Sequence, residues 1–545
     1  MKRLLLTALV GMLWTPQARA YHVPIHEMFP ERALHGDARL KDETLPAVAP
    51  QDLEAFRAWL DGLGRNHPDE KVRAEYLKRY PTPAAFDVAA FKRLMQFNST
   101  TPVNGWDKAE GLPGSPMKVL QVASGQPDTD KRNMDRLALD DKGAPRTLPD
   151  GRKVPEDPIV LNMGNVTGRS SQAHAHYGLM DAVFTTDPEM LRTDPRRFAA
   201  PFGWPKGPVK TLAREMTQAH YDLAVLASLW NTPAGRSLGY LYLGQAFHYL
   251  QDVGNQIHTV QVGSHDFFVQ AKVLTTTRAI TTLGGYLGDL RPFTAVGLEI
   301  LTAHHHFAEA LNRKRMLEAV DGKANSEALK ALASAMGVDE PEYKKDVEMA
   351  VAQLVSKAGK KHLYLPMATV IMGRLIEHSS REGGEVYRHT AGVSVERLKQ
   401  PGAKFEEGDD PDPALADVTV PEVQAHLESL YWLQAKGMAR AAGAMRLLFT
   451  RFNSDVTVED EAKRAERVNA VAGYFLASRL KELTEQEARL QMYLADPPPA
   501  VAATVKDPFY LLAPFGVVGI IAALVVFFLR RKPEPPAEGN IASYG

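Results

Sequence analysis

The chain has 545 residues, of which 45% are hydrophobic, so it can bury a sizeable core and is long enough for more than one domain. It carries 64 lysine and arginine residues against 65 aspartate and glutamate residues, for a formal net charge of -1. This balance excludes the overall basic surface typical of proteins that bind duplex nucleic acid. Since the chain contains no cysteine, disulfide bonds and thiolate metal sites are also excluded.

The first 20 residues have the features of a cleavable secretory signal peptide. Lys2 and Arg3 form a basic start, an apolar run follows, and the small residues Ala18 and Ala20 mark the expected cleavage site. The apolar run is too short to span a bilayer, which argues against the alternative of an uncleaved anchor. We therefore expect the mature chain to begin at Tyr21.

The chain that follows predicts an all-α fold. Apolar residues recur at helical intervals, and no series of alternating strand patterns is present. The predicted helices cover residues 212–230, 238–253, 329–336, 343–358, 423–449 and 459–494. Residues 140–160 are rich in proline, glycine and charge, which predicts a loop.

The most informative segment contains His248, Asp252 and His258. Because residues four apart are neighbours on a helix surface, His248 and Asp252 are expected to share one helix face. Gly254 and Asn255 are expected to end that helix and to let His258 turn back. Imidazoles and a carboxylate at this spacing predict a metal site, and the alternative is a polar pair satisfied inside the core.

Together with His26, this segment resembles the zinc-dependent phospholipase C and S1/P1 nuclease superfamily. His248, Asp252 and His258 have the spacing of the central motif of that family, and the stretch from His26 to Ala33 is similar to its first helix. The resemblance implies a multi-helix catalytic domain with three clustered zinc ions.

The resemblance also implies a role for each of these residues. Tyr21, through its backbone amino and carbonyl groups, and His26 would hold one zinc ion. Asp252 would bridge that ion to a second one, which His248 would also bind, and His258 would hold a third. The family usually has tryptophan at the mature N-terminus, but tyrosine is acceptable there because only backbone atoms would coordinate the metal.

Two further ligands of the second zinc ion are expected upstream of the central motif. Either His174 or His176 could supply the imidazole, and we favour His176 because an aromatic residue follows it, as in the family. Asp157 would supply the carboxylate and act as the catalytic base. Asp157 lies farther upstream than the usual interval in the family. At the usual interval this chain has Asn162, and an amide binds zinc poorly.

A His and a carboxylate one helical turn apart are expected to complete the third zinc site downstream. His305 and Glu309 have this spacing, and residues 266–300 would then be an insertion. His265 lies nearer the usual position, but Val269 stands where its carboxylate partner would be. The alternative for the His305 region is a histidine tract on the surface.

The C-terminal third predicts a helical extension and a membrane anchor. An acidic loop at 402–413 precedes helices within 414–495, which would pack on the catalytic core or form a stalk, and 496–507 would be a linker. Residues 508–529 carry no charge and would make a helix about 33 Å long, enough for a single transmembrane span. The alternative is a buried core helix. The basic start of the tail 530–545 should stay cytoplasmic, which would place the catalytic domain on the periplasmic side of the inner (plasma) membrane.

The resemblance implies an exported, membrane-anchored, zinc-dependent phosphodiester hydrolase whose catalytic domain covers residues 21–400. The sequence around His248 is more similar to the phospholipase branch, so a phospholipid is the expected substrate. An S1/P1-type nuclease or nucleotidase is an alternative, with Tyr177, Phe184 and Tyr249 as candidate platforms for stacking bases. A degenerate, non-catalytic envelope protein is a third hypothesis.

A metal ligand at the mature N-terminus would make activity depend on signal cleavage. An α-amino group must lose its proton to bind a metal ion, and a peptide nitrogen cannot take its place. The precursor is therefore expected to be inactive. Because zinc lowers the pKa of a bound water to about 7, a neutral to mildly alkaline optimum is expected.

Overall fold

The computed structural model describes residues 23–40, 43–95, 114–129, 138, 144–149, 151, 154, 176, 178, 212–259, 315–359, 364–398 and 421–495. Within these ranges the regular structure is helical and contains no β-strand, which confirms the predicted all-α class. Among the helices of these ranges, none combines the length and the low charge that a bilayer crossing requires. The predicted signal peptide, the predicted insertion and the predicted membrane helix at 508–529 lie outside the described residues.

The longer α-helices of the described ranges are numbered here in chain order. They are α1 (Val23–Ala33), α2 (Pro50–Arg65), α3 (Glu70–Arg79), α4 (Val88–Met95), α5 (Pro116–Thr129), α6 (Ala213–Leu229), α7 (Pro233–Gly254), α8 (Glu327–Ser334), α9 (Pro341–Ala358), α10 (Met367–Leu398), α11 (Pro421–Val456) and α12 (Glu461–Ala495). A short 3-10 turn, Gln256–Thr259, follows α7.

The hydrophobic periodicity of the sequence predicted both ends of α6 and α12 to within about two residues. It predicted the start of α7 too late. This helix begins at Pro233 rather than near residue 238. Thr232 caps it, because its side-chain oxygen accepts a hydrogen bond of 2.9 Å from the backbone N–H of Gly235. Proline suits the first helical position, where its fixed φ is already helical and its missing N–H costs nothing. The capping residues therefore determine this boundary, and they precede the first apolar repeat.

Helix α7 lies at the centre of the fold, in contact with α1, α5, α6, α10 and α11. It is buried on nearly every face, as a helix surrounded by other helices must be. Two glycines permit close packing: a Cβ atom at Gly244 would lie 2.6 Å from Cβ of Ala123 in α5, and one at Gly254 would lie 2.6 Å from Cβ of Ala441 in α11. His248 and Asp252 lie between these two contacts, so neighbouring helices enclose them.

The C-terminal helices pack on the same core. Met438 and Met445 of α11 and Phe475 of α12 belong to one hydrophobic cluster with Phe29 of α1. Of the two alternatives for residues 414–495, packing on the core or a separate stalk, the described part adopts the first. Arg446 of α11 also donates a hydrogen bond of 3.1 Å to the backbone oxygen of Ala33, which satisfies a carbonyl at the end of α1.

Candidate metal centre

Four side chains from three separate segments meet at one buried point: His26 of α1, His176, and both His248 and Asp252 of α7. Oδ2 of Asp252 lies 2.5 Å from Nδ1 of His176 and 3.1 Å from Nε2 of His248. The other carboxylate oxygen, Oδ1, lies 3.5 Å from Nε2 of His26. All four side chains are buried, so an ionised carboxylate and three imidazoles are concentrated in a site from which bulk water is excluded.

The imidazoles are close to one another as well as to the carboxylate. The rings of His26 and His248 have centroids 4.2 Å apart, and Nε2 of His248 lies 3.0 Å from Nδ1 of His176. One ligand atom each from His26, His248 and Asp252 lies within 4.8 Å of the others. Nitrogen and carboxylate oxygen atoms that converge in this way could hold a metal ion, since a cation would offset the charge of a buried carboxylate.

The orientation of His248 follows from its neighbour α5. Its Nδ1 atom lies 2.8 Å from the backbone oxygen of Ser124. A carbonyl oxygen only accepts hydrogen bonds, so Nδ1 carries a proton, and in the neutral ring Nε2 carries the lone pair that faces Asp252. This is the tautomer a metal-binding histidine requires, held by an outer hydrogen bond as such ligands usually are.

His26 is oriented by a second pair of contacts. Its Nδ1 atom donates to Oε1 of Gln251 over 2.5 Å, so in the neutral ring Nε2 carries the lone pair directed at Asp252. The hydroxyl of Ser124 donates to the backbone oxygen of His26 over 2.8 Å, which ties α1 to α5 at the site. Sequence reasoning missed Gln251 and Ser124, because an amide next to Asp252 and a serine carbonyl carry no ligand signature of their own.

His176 is positioned by the turn that follows α7. His258 lies in that turn, and its Nδ1 atom is 3.2 Å from the backbone oxygen of His176. In return, the backbone N–H of Gly178 donates to the backbone oxygen of His258 over 3.1 Å. A Cβ atom at Gly178 would lie 2.6 Å from Cγ1 of Ile376, so only glycine lets this segment lie so close to α10.

The carboxylate of Asp252 is ionised despite its burial. Burial alone raises the pKa of Asp252, but the charge that His248 and His176 can carry opposes it more strongly, and the pKa lies well below the usual range. When these two rings are protonated, their hydrogen bonds to the carboxylate act in the same direction. An ionised carboxylate is the form that coordinates a metal ion.

A further buried histidine, His220, lies beside the site and was not predicted from the sequence. It is on α6, its ring centroid is 5.4 Å from that of Tyr249, and its Nδ1 atom donates to the backbone oxygen of Met216 over 2.9 Å. Its Nε2 atom is buried and has no hydrogen-bond partner among the described residues. Burial lowers the pKa of His220 to about 4, so the ring is neutral at physiological pH.

The structure thus brings together four of the residues singled out from the sequence: His26, His176, His248 and Asp252. His258 contacts the backbone of His176, next to the cluster. Gly254 ends α7, and Asn255 and the 3-10 turn reverse the chain, which confirms the predicted end of that helix. The remaining candidates fall outside the described residues, namely Tyr21, Asp157, His174, His305 and Glu309.

Comparison of the chain with protein families, with curated proteins and with solved structures found no match.

Proposed function

We propose that this protein is a zinc-dependent phosphodiester hydrolase of the phospholipase C type. The observation that carries the proposal is the arrangement around Asp252. One carboxylate oxygen faces His26, and the other faces both His176 and His248. A carboxylate with imidazoles at both oxygens is suited to bridging two metal ions held close together.

The donor set supports zinc over magnesium and calcium. Magnesium and calcium prefer oxygen ligands, whereas three imidazoles and one carboxylate suit zinc. The chain contains no cysteine, so a thiolate cluster is excluded. In this proposal, Asp252 and His26 hold one ion, and Asp252, His176 and His248 hold a second.

The identity of the outer ligands rests on the resemblance found in the sequence. The amino and carbonyl groups of Tyr21 would complete the first site, and Asp157 would complete the second and act as the base. His258, with His305 and Glu309, would hold a third ion. His174 is the alternative to His176, and the short distance from His176 to Asp252 favours His176.

Bound zinc would supply Lewis acidity, an activated water and stabilisation of the leaving oxygen in phosphodiester cleavage. The residues of the chain prepare the site for this chemistry. Ser124 and Gln251 fix the tautomers of His248 and His26, and burial of Asp252 keeps bulk water from screening its charge. These fixed donors need little reorganisation when metal and substrate bind.

The resemblance around His248 favours a phospholipid substrate, and the burial of one aromatic residue removes a candidate platform for nucleic acid. Tyr249 adjoins the metal ligand His248 and would be the nearest candidate for stacking on a base. Its side chain is fully buried, so no face is available to a base. The other two candidates, Tyr177 and Phe184, lie outside the described residues. Export, the anchor at 508–529 and a site outside the inner membrane are part of the same proposal and rest on the sequence.

The test is to purify the mature protein, measure its zinc content by atomic emission, and assay hydrolysis of phosphatidylcholine and single-stranded DNA in parallel. We expect bound zinc and cleavage of the phospholipid. The variants His248→Ala and Asp252→Asn should lose both the bound zinc and the hydrolysis of phospholipid. Cleavage of DNA alone would favour the nuclease. Zinc binding without hydrolysis of either substrate would favour the non-catalytic protein. Absence of zinc would refute the proposal.

A second measurement addresses the N-terminal ligand. We would compare protein that begins at Tyr21 with protein that carries one additional residue before it. The additional residue converts the α-amine of Tyr21 into an amide, which does not coordinate zinc, so zinc content and activity should both fall. Equal activity of the two forms would exclude Tyr21 as a ligand.

A further inference from the structure

A second enclosed polar site lies between α6, α10 and α12. A cavity of about 230 Å³ opens there, several times the roughly 30 Å³ that one water molecule occupies in the liquid. Asp222 and Gln218 of α6 and Thr369 of α10 line one side, and Tyr474 and Phe475 of α12 line another. The cavity therefore combines a carboxyl group with aromatic side chains, in a volume that fits a small organic molecule.

The carboxyl group of Asp222 uses only one of its oxygens within the protein. Oδ1 accepts a hydrogen bond of 2.6 Å from Nε2 of Gln218 and a second from the hydroxyl of Tyr364. Among the described residues, no hydrogen bond reaches Oδ2, although Asp222 is only 1% exposed. A carboxyl oxygen that borders a cavity and lacks a protein partner is available to a ligand.

The contacts of Gln218 fix which oxygen remains available. Its Oε1 atom accepts from the backbone N–H and the hydroxyl of Thr369, over 2.8 Å and 3.0 Å. The amide is thereby oriented with Nε2 toward Asp222 and Tyr364, so it always donates to Oδ1. The site is built before any ligand arrives, because none of these groups needs to turn.

The charged side chains that line the cavity are balanced in number, with the exception of Asp222. Arg214, Arg479 and Lys481 are matched by Glu215, Glu482 and Glu485, and Glu482 also pairs with Arg489 over 3.0 Å. Asp222 lies deeper and forms no ion pair with a basic side chain of the described residues. Its ionised form would therefore lack a counter-ion, unless a ligand supplied one.

We propose that this cavity binds a small primary alkylammonium ligand, which donates a hydrogen bond to Oδ2 of Asp222 and packs its alkyl part against Tyr474 and Phe475. An ammonium group provides both the missing positive charge and the missing donor. The aromatic rings add favourable contact with an organic cation. This site uses different residues from the metal centre and does not depend on the proposed hydrolase activity.

Binding should release a proton. Burial raises the pKa of Asp222 well above the usual range, which keeps the empty site protonated, and an ammonium ion would stabilise the carboxylate instead. Other groups face this carboxyl and contribute to the balance. They are Tyr364, Asp455, Tyr474, Arg214, Glu215, Arg479, Lys481, Glu482 and Glu485. The three basic and three acidic side chains that line the cavity offset one another, so Asp222 is the group expected to exchange its proton.

The test is isothermal titration of the full-length protein with n-propylamine at pH 7, in phosphate and in HEPES. We expect saturable binding whose measured heat differs between the two buffers, because one proton per site is released to the buffer. Tetramethylammonium has the same charge but no N–H donor, and it should bind at least about tenfold more weakly. Glycerol, a neutral molecule, should not bind.

Two variants separate the ligand site from a general effect on folding. Asp222→Asn keeps the shape of the side chain and removes its charge, so affinity should fall at least about tenfold and the buffer dependence should disappear. Ser478→Trp places a large ring at an exposed residue that lines the cavity and leaves Asp222 in place, and it should block binding while the far-ultraviolet circular dichroism of the helices stays unchanged. Equal affinities of n-propylamine and tetramethylammonium, full affinity in Ser478→Trp, or no saturable binding to the wild-type protein would each overturn the proposal.

Discussion

Nδ1 of His176 lies 2.5 Å from Oδ2 of Asp252, although 76 residues separate them in the chain. Asp252 belongs to the central helix α7. His176 lies in a separate segment, which is positioned by the contacts of Gly178 with His258 and with α10. The candidate metal centre therefore depends on a local pattern within one helix and on long-range packing that brings the other imidazoles to it. The local pattern and the long-range packing can each be tested by a separate substitution.

Replacing Asp252 by asparagine should remove metal from more than one position. The substitution keeps the size of the side chain but removes the charge and one acceptor oxygen between His26 and the pair His176 and His248. We expect the zinc content to fall and phosphodiester hydrolysis to drop by about a hundredfold or more. Atomic emission and a phospholipid assay measure the two effects.

The control for this substitution is Asp37→Asn, which alters a partly exposed carboxylate that pairs with Arg39 over 2.5 Å. An exposed pair of this kind contributes little to stability, so metal content and activity should be unchanged. If Asp252→Asn retained the zinc content of the wild-type protein, a bridging role for Asp252 would be refuted.

Gln251 should act on the metal through His26. Gln251→Ala removes the acceptor for Nδ1 of His26, which frees the ring to rotate and to change its tautomer. Loss of such an outer hydrogen bond typically lowers metal affinity by about 10-fold to 100-fold. Competition with a fluorescent zinc chelator would measure the change.

Gln251→Glu provides the matched comparison, because glutamate keeps an acceptor oxygen at the same position. The affinity should stay near that of the wild-type protein or rise, since a carboxylate makes the ligand imidazole more basic. Equal loss in the alanine and glutamate variants would indicate that the packing of Gln251, and not its hydrogen bond, supports the site.

The sequence predicted the helical class and the local part of the site for physical reasons that are visible in α7. A four-residue spacing places His248 and Asp252 on one face of any helix, and Gly254 with Asn255 ended the helix where expected. These features depend on neighbours in the chain, so they can be predicted without knowledge of the tertiary structure.

The remaining parts of the site depend on contacts that no local pattern encodes. The carbonyl of Ser124 is a backbone atom, so the identity of the side chain gives no sign that it orients His248. Asp222 and Gln218 have the same four-residue spacing as many exposed helical pairs, and only the packing of α10 and α12 against α6 encloses them. The close approach at Gly178 likewise depends on Ile376, which is distant in sequence.

Gly178→Ala should disturb the segment that carries His176. The added Cβ would lie 2.6 Å from Cγ1 of Ile376 and 3.2 Å from both γ-carbons of Val253, so α10 or the segment must shift. Overpacking of this kind costs about 1 to 3 kcal/mol of folding free energy. Urea denaturation of the metal-free protein would measure it, and zinc affinity should fall in parallel.

Gly62→Ala is the control for the glycine substitution. Gly62 lies within α2, and a Cβ atom there would have no neighbour within 4 Å. Since alanine is the better helix former, this variant should be more stable than the wild type by about 0.5 to 1 kcal/mol. A stability for Gly178→Ala equal to that of the wild type would show that the close approach to Ile376 is not a constraint.

His220 should make the metal-free protein sensitive to mild acid. Its folded pKa of about 4 lies below the ordinary value of 6.5, because burial disfavours the charged ring. Between these two values the unfolded chain binds more protons than the folded one. The stability that the neutral ring contributes is therefore complete above pH 6.5 and is lost as the pH falls toward 4.

The measurement is urea denaturation of the metal-free wild-type protein and of His220→Asn at pH 7 and pH 5. Asparagine stays neutral at both values and can still donate to the backbone oxygen of Met216. From the two pKa values, the wild-type protein should lose about 2 kcal/mol more than the variant between pH 7 and pH 5. The other ionisable groups are the same in both proteins, so their contributions cancel in this difference. Identical losses in the two proteins would mean that His220 accepts a proton in the folded state at its ordinary pKa, which its burial beside Tyr249 should prevent.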